Sequence, residues 1–138
     1  NKRSMYGAAG NGRIGMVALD DCIEVASTVL QSDPKQWNSA NLEITGPSAL
    51  TYNEIATEMS RAFNETITYV DMSEQEFSSM LLEYGFPEED LEIQVLCHFR
   101  QMRNGKASLL TDTFEKITGK PATSIYDWML KNLDLFDI

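Results

Sequence analysis

The sequence is short of several residue types that common chemistries need. It has one histidine and two cysteines in 138 residues. Cys22 and Cys97 form no C-x-x-C pair, and Cys97 and His98, as helix neighbours, diverge, which argues against a zinc site. The two thiols read as buried and free, in keeping with a reducing, cytoplasmic setting. Glu88, Glu89 and Asp90 lack the alternating spacing of a calcium loop and read as charge at a helix N-terminus. No apolar run approaches the roughly 20 residues of a membrane span. No basic-then-apolar leader is seen. Basic residues are scarce, 11 against 21 acidic ones, for a net charge of −10. Residues 65–92 hold nine acidic side chains and no basic one. Such a face repels phosphate backbones, which disfavours nucleic-acid binding, and it reads as a solvated helical surface.

What remains is an ordinary hydrophobic fraction of 43%, enough for one domain with its own core. The chain is organised around residues 41–63, NLEITGPSALTYNEIATEMSRAF. Leu42 and Ile44 mark a short buried strand, stopped by Gly46-Pro47. Thr51 and Glu54 have the spacing of a capping box, with Leu50 and Ile55 in staple positions. Tyr52, Ile55, Ala56, Met59, Ala62 and Phe63 then line one helical face. A strand–turn–helix unit of this kind needs a parallel strand on each side.

Residues 1–12 are polar and glycine-rich and read as a flexible turn leading into a strand. Gly10, Gly12 and Gly15 match G-x-G-x-x-G, but no apolar strand precedes them and a strand rather than a helix follows. A pyrophosphate site needs the opposite order. Residues 14–19 predict the first strand. Asp20 or Asp21 caps the next helix, which puts Cys22, Ile23, Ala26, Val29 and Leu30 on one face. Residues 66–71 predict a third strand, followed by a helix that Ser73 and Glu76 box in. Pro87 opens a further helix with Leu91, Val95, His98, Phe99 and Met102 on one face. Two shorter helices follow, the last capped by Ser124. The expected fold is α/β: a small parallel sheet of about three strands with helices, an incomplete Rossmann-type arrangement, then a helical C-terminal region.

No motif places a nucleophile or a catalytic base, so no catalytic residue is assigned. Phe77, Met80, Phe99 and Met102 are either core or the apolar wall of a ligand pocket. His98 lies at helical spacing among apolar residues, as a packing histidine does.

Several segments taken together resemble the C-terminal part of NmrA-like proteins, of the atypical short-chain dehydrogenase/reductase group. They are G-x-G-R-I-x-x-V at residues 10–17, D-D-C-I at 20–23, the L-E-I-T-G-P…L-T-Y-N-E-I-A block at 42–56, and T-G-K-P…S-I-Y-D-W at 118–128. The resemblance implies a two-part protein in which an N-terminal Rossmann half binds NAD(P) and the C-terminal part closes a substrate pocket. Relatives of this kind reduce quinone, azo or carbonyl compounds, or act as redox sensors. It also implies that Tyr6, Gly10 and Asn11 run past the cleft and that His98 lines it. The strand–loop–helix that would hold a pyrophosphate is not found here. Nor is a Y-x-x-x-K pair, since none of the five tyrosines has a lysine four residues on. The expectation is a single domain over 1–138, with no cofactor site of its own, that either pairs with a nucleotide-binding half or self-associates. The alternative is a stand-alone module for a small apolar ligand or a protein partner.

Overall fold

The polar start of the chain carries the first strand. In this computed structural model, which describes residues 3–136, β1 (Arg3–Gly7) runs parallel to a strand at Ile67–Asp71. Arg3 stands opposite Ile67 and Gly7 opposite Asp71. This corrects the expected flexible turn over 1–12, whose first two residues lie outside the described ones. The strand was hidden because only Met5 is a large apolar residue on its inner side; backbone pairing holds it, and pairing leaves little trace in composition.

β2 (Arg13–Ile14) is antiparallel to β3 (Leu50–Thr51). Of the strand expected over 14–19 only Ile14 is paired; residues 15–18 have no ladder partner among the described residues, and α1 (Leu19–Gln31) begins at Leu19. Neither Asp20 nor Asp21 caps it; the N-cap position is Ala18, with no side-chain bond. Asp21 is instead buried and accepts from the amide and the hydroxyl of Thr123, both at 2.7 Å. The predicted apolar face of α1 is not its inner one: Ile23, Ala26 and Leu30 are exposed, and the buried residues of the helix are Asp21 and Val25. A short α2 (Pro34–Trp37) follows, with Asp33 accepting from the Lys35 amide.

Residues 41–46 form no strand. Their exposure alternates from Asn41 to Ile44 as a strand's would, yet among the described residues no backbone–backbone hydrogen bond joins them to a neighbour. A strand exists only with a ladder partner, and none is present here. α3 (Tyr52–Phe63) begins as expected: the Thr51 hydroxyl accepts from the Glu54 amide and the Glu54 carboxylate from the Thr51 amide. β4 (Ile67–Asp71) and α4 (Glu74–Glu83) follow, the latter with the Ser73–Glu76 box in place.

The next helix changes its winding. α5 (Glu88–Asp90) passes into a π-helical turn, Leu91–Leu96, and then into α6 (Cys97–Arg103). The wider turn shifts the inward face, which becomes Leu91, Leu96, Phe99 and Met102. Val95 is left half-buried and His98 exposed, so the packing-histidine expectation is corrected. α7 (Thr113–Thr118) and α8 (Ile125–Lys131) complete the helices, the latter capped by Ser124.

The class is the expected α/β, a small parallel sheet with helices. Among the described residues the parallel sheet has two strands rather than about three, since 14–19 and 41–46 do not pair into it. Its core gathers Ala8, Ala9, Phe77, Leu91, Leu96, Phe99 and Met102.

Glu54 and Glu76 titrate below the ordinary glutamate value. Glu54 is lowered first by the Thr51 amide and then by Arg13, and Glu76 first by the Ser73 hydroxyl. Their contribution is complete above 4.5, the ordinary value, and is lost as pH falls through the lowered folded value. Melting followed by circular dichroism should show stability dropping below that pH. The deficit of Glu54→Gln relative to the unaltered chain should shrink in acid.

Candidate functional site

The turn that leaves β1 is fixed from several directions. Ala8 and Ala9 are buried. The Tyr69 hydroxyl accepts from the Ala9 amide at 3.0 Å and donates to the Asp71 carboxylate at 2.8 Å. The Gly10 amide donates to the same carboxylate oxygen, also at 2.8 Å. The Arg103 guanidinium donates to the Ala8 carbonyl and pairs with Glu74. Tyr69 and Asp71 reach the turn because residues two apart on a strand share a face. Burial, the largest cause, raises the Tyr69 phenol above its ordinary pKa, so it keeps its proton and stays a donor.

An aromatic cluster supports the turn from below. Tyr52 lies 5.2 Å from Tyr69 and 5.7 Å from Phe99, and Phe77 meets Phe99 edge-on at 5.3 Å. Glu74, in the first turn of α4, also pairs with Arg100 at 2.7 Å, and Arg100 reaches Glu92. Both arginines therefore tie α6 to α4 while Arg103 holds the turn.

Beside the turn is a cavity of about 450 Å³, lined by residues 10–13, Met102, Arg103, Gly105 and Ser108. Of the residues singled out from the sequence, Gly10, Asn11 and Met102 meet here. Phe77 and Phe99 lie in the core. Tyr6 and His98 are exposed and do not line the cavity. Sequence reasoning missed Tyr69, Asp71 and Arg103. The alternate spacing of Tyr69 and Asp71 on one strand was the available signal. Two other cavities are larger or more apolar: about 760 Å³ beside residues 110–115, and about 310 Å³ between residues 16–19 and 123–129. Neither adjoins the clamped turn. Among the described residues, no cluster of three His, Cys, Asp or Glu side chains is placed to hold a metal. No described helix is long and apolar enough to cross a membrane.

The glycine turn does not fit a dinucleotide. A Cβ on Gly12 would stand 2.5 Å from the Met102 carbonyl carbon and 2.7 Å from the Arg103 nitrogen. The chain's own backbone thus takes up the space beside the Gly12 Cα. The turn also runs into β2 instead of a helix N-terminus.

The fold is a mixed α/β one that solved oxidoreductase structures share. The triphenylmethane reductase of Citrobacter sp., solved with NADP(H), has a TM-score of 0.80 at 22% identity, over 93% of this chain and 43% of its own. The NADPH-dependent quinone oxidoreductase of Escherichia coli, solved with NADPH, has a TM-score of 0.78 at 23% identity, over 95% and 45%. In sequence, the chain is 27% identical over 124 residues to festuclavine synthase I of Penicillium roqueforti, covering 88% of this chain and 42% of that protein. It is 26% identical over 121 residues to quinone oxidoreductase 2 of E. coli, covering 86% and 41%. No protein-family model matches. These relatives bear out the resemblance to the C-terminal part of NmrA-like, atypical short-chain dehydrogenase/reductase proteins. The chain spans about two-fifths of the length of the curated relatives it matches.

Two substitutions check the clamp. Tyr69→Phe leaves the buried Ala9 amide without a partner and should cost about 1–3 kcal/mol in urea denaturation. Gly12→Ala should cost more than about 1 kcal/mol, because the backbone it meets cannot retreat as a side chain would.

Proposed function

We propose that this chain is the substrate-side portion of an NAD(P)H-dependent reductase, or of a redox sensor of the same build, and is not catalytic by itself. The observation that carries the reading is the contact of Gly12 with the Met102 backbone. It closes the one glycine turn with dinucleotide spacing, while the adjoining cavity stays open to a ligand. The relatives support it, since they include an NADPH-dependent quinone oxidoreductase and a triphenylmethane reductase. The ligand we assign is a flat, conjugated acceptor of the quinone, azo or carbonyl kind. Met102 offers it an apolar contact, and Gly10 and Asn11 offer peptide edges. Tyr69, Asp71 and Arg103 position that turn rather than touch the ligand. The residues that hold the nucleotide lie outside these 138.

The test is ligand-dependent melting of the isolated chain. A binder at a hundred times its Kd stabilises a protein by about 2.7 kcal/mol, which is several degrees for a domain of this size. Neither NADPH nor NADH should move the melting temperature. A shift of that size, with stoichiometric uptake, would overturn the proposal.

A further inference from the structure

We propose that Asn104 is a site of spontaneous deamidation, driven by the glycine that follows it, and that the fold spares the matching pair at Asn11. Two of the chain's asparagines precede a glycine, Asn11 and Asn104. Both are exposed. In such a pair the glycine nitrogen attacks the asparagine Cγ, because glycine has no Cβ to stand in the way and its backbone turns freely. The amide proton goes to solvent base. A new N–C bond closes a succinimide ring, the bond from Cγ to the side-chain nitrogen breaks, and that nitrogen takes a proton from solvent and leaves as ammonia. Water then opens the ring. Attack at one ring carbonyl gives aspartate; attack at the other gives isoaspartate, whose main chain runs through Cβ and Cγ. Water is the only co-reactant.

The structure separates the two pairs. Asn104 is the C-cap of α6, with ψ at 5°, and its side chain makes no hydrogen bond among the described residues. Two bonds close this helix end: the Gly105 amide donates to the Met102 carbonyl at 3.0 Å and the Lys106 amide to the Gln101 carbonyl at 2.9 Å. Gln101, Asn104, Gly105 and Lys106 are all exposed, and helix ends of this kind open at little cost. A Cβ built on Gly105 would meet nothing within 4 Å. The peptide plane between Asn104 and Gly105 therefore has room to turn its nitrogen onto Cγ.

Asn11 has no such room. The Gly12 amide donates to the carbonyl of Ala9, which is 0% exposed, and the Gly10 amide is held by Asp71. Gly12 itself lies against the Met102 and Arg103 backbone. Turning the Asn11–Gly12 peptide plane requires the clamped turn to leave α6.

The modification would act on the cavity described above, because Arg103 and Gly105, on either side of Asn104, both line it. The product sets a carboxylate at the C-terminus of α6, where the helix dipole is already negative. It also stands next in sequence to the guanidinium that holds the Ala8 carbonyl and Glu74. Isoaspartate lengthens the main chain between the two lining residues by one methylene as well.

The test incubates the intact 138-residue chain in warm, mildly alkaline buffer and then cleaves it after glutamate. Fragment 93–115 carries Asn104 as its sole asparagine, and fragment 1–24 carries Asn11. Conversion is read at each asparagine as the mass gained from amide to acid, and isoaspartate as methyl uptake from an isoaspartate-specific methyltransferase. Asn104 should convert at least ~10-fold faster than Asn11, as a fraying helix end opens more readily than a packed turn. Asn104→Gln should remove methyl uptake from fragment 93–115. Equal rates at the two asparagines overturn the proposal, as does methyl uptake that persists in that fragment of the variant. Asn104 left intact in the folded chain, while a synthetic 93–115 peptide converts, overturns it too.

Discussion

The structure depends on one phenol. Tyr69 accepts the Ala9 amide and donates to Asp71, which in turn accepts from Gly10. These bonds link the parallel pair β1–β4 to the turn above it. A two-stranded parallel sheet is a weak unit on its own. Here it is stiffened at its C-terminal end by side chains of β4 that reach over to the exit of β1. The buried alanines, the Gly12 contact and the cavity wall all follow from where that turn is set. Arg103 adds a second restraint from α6, so sheet, turn and helix are joined through side-chain bonds.

The most readable parts of the sequence were those fixed by neighbours in the chain. Both capping boxes and the Ser124 cap are local chemistry, and all stand in the structure. What depended on distant partners was hidden. β1 exists through its ladder to β4, and Arg3–Gly7 has no apolar pattern strong enough to announce it. Residues 41–46 have such a pattern and no ladder. Asp21 had the spacing of a cap, yet its carboxylate was taken by Thr123, more than one hundred residues on. The π-helical turn at Leu91–Leu96 is a third kind of miss, because a regular period misplaces residues within and just after an irregular turn, while Phe99 and Met102 further on keep their inward face. That is how Leu96 escaped notice and His98 was turned inward on paper. At the site, Gly10, Asn11 and Met102 were found, while the side chains that hold the turn were not.

The glycine-rich turn also shows how a nucleotide fingerprint and a packing motif come to look alike. Both need glycine where backbone passes close to something bulky. In a dinucleotide site the bulky group is a pyrophosphate. In this chain it is the carbonyl end of Met102. The surrounding elements separate the two cases: a helix N-terminus aimed at an anion in one, a short strand and a helix C-terminus in the other. Spacing alone does not.

The buried Asp21–Thr123 bonds have an effect on the order of assembly. Asp20 and Glu24, on the same turns of α1, pair with Lys131 and Lys120. α1 therefore takes contacts from residues about one hundred positions later in the sequence. Until those arrive, the Asp21 carboxyl has only water to satisfy it. The docking of α1 must wait for residues 120–131 to leave the ribosome.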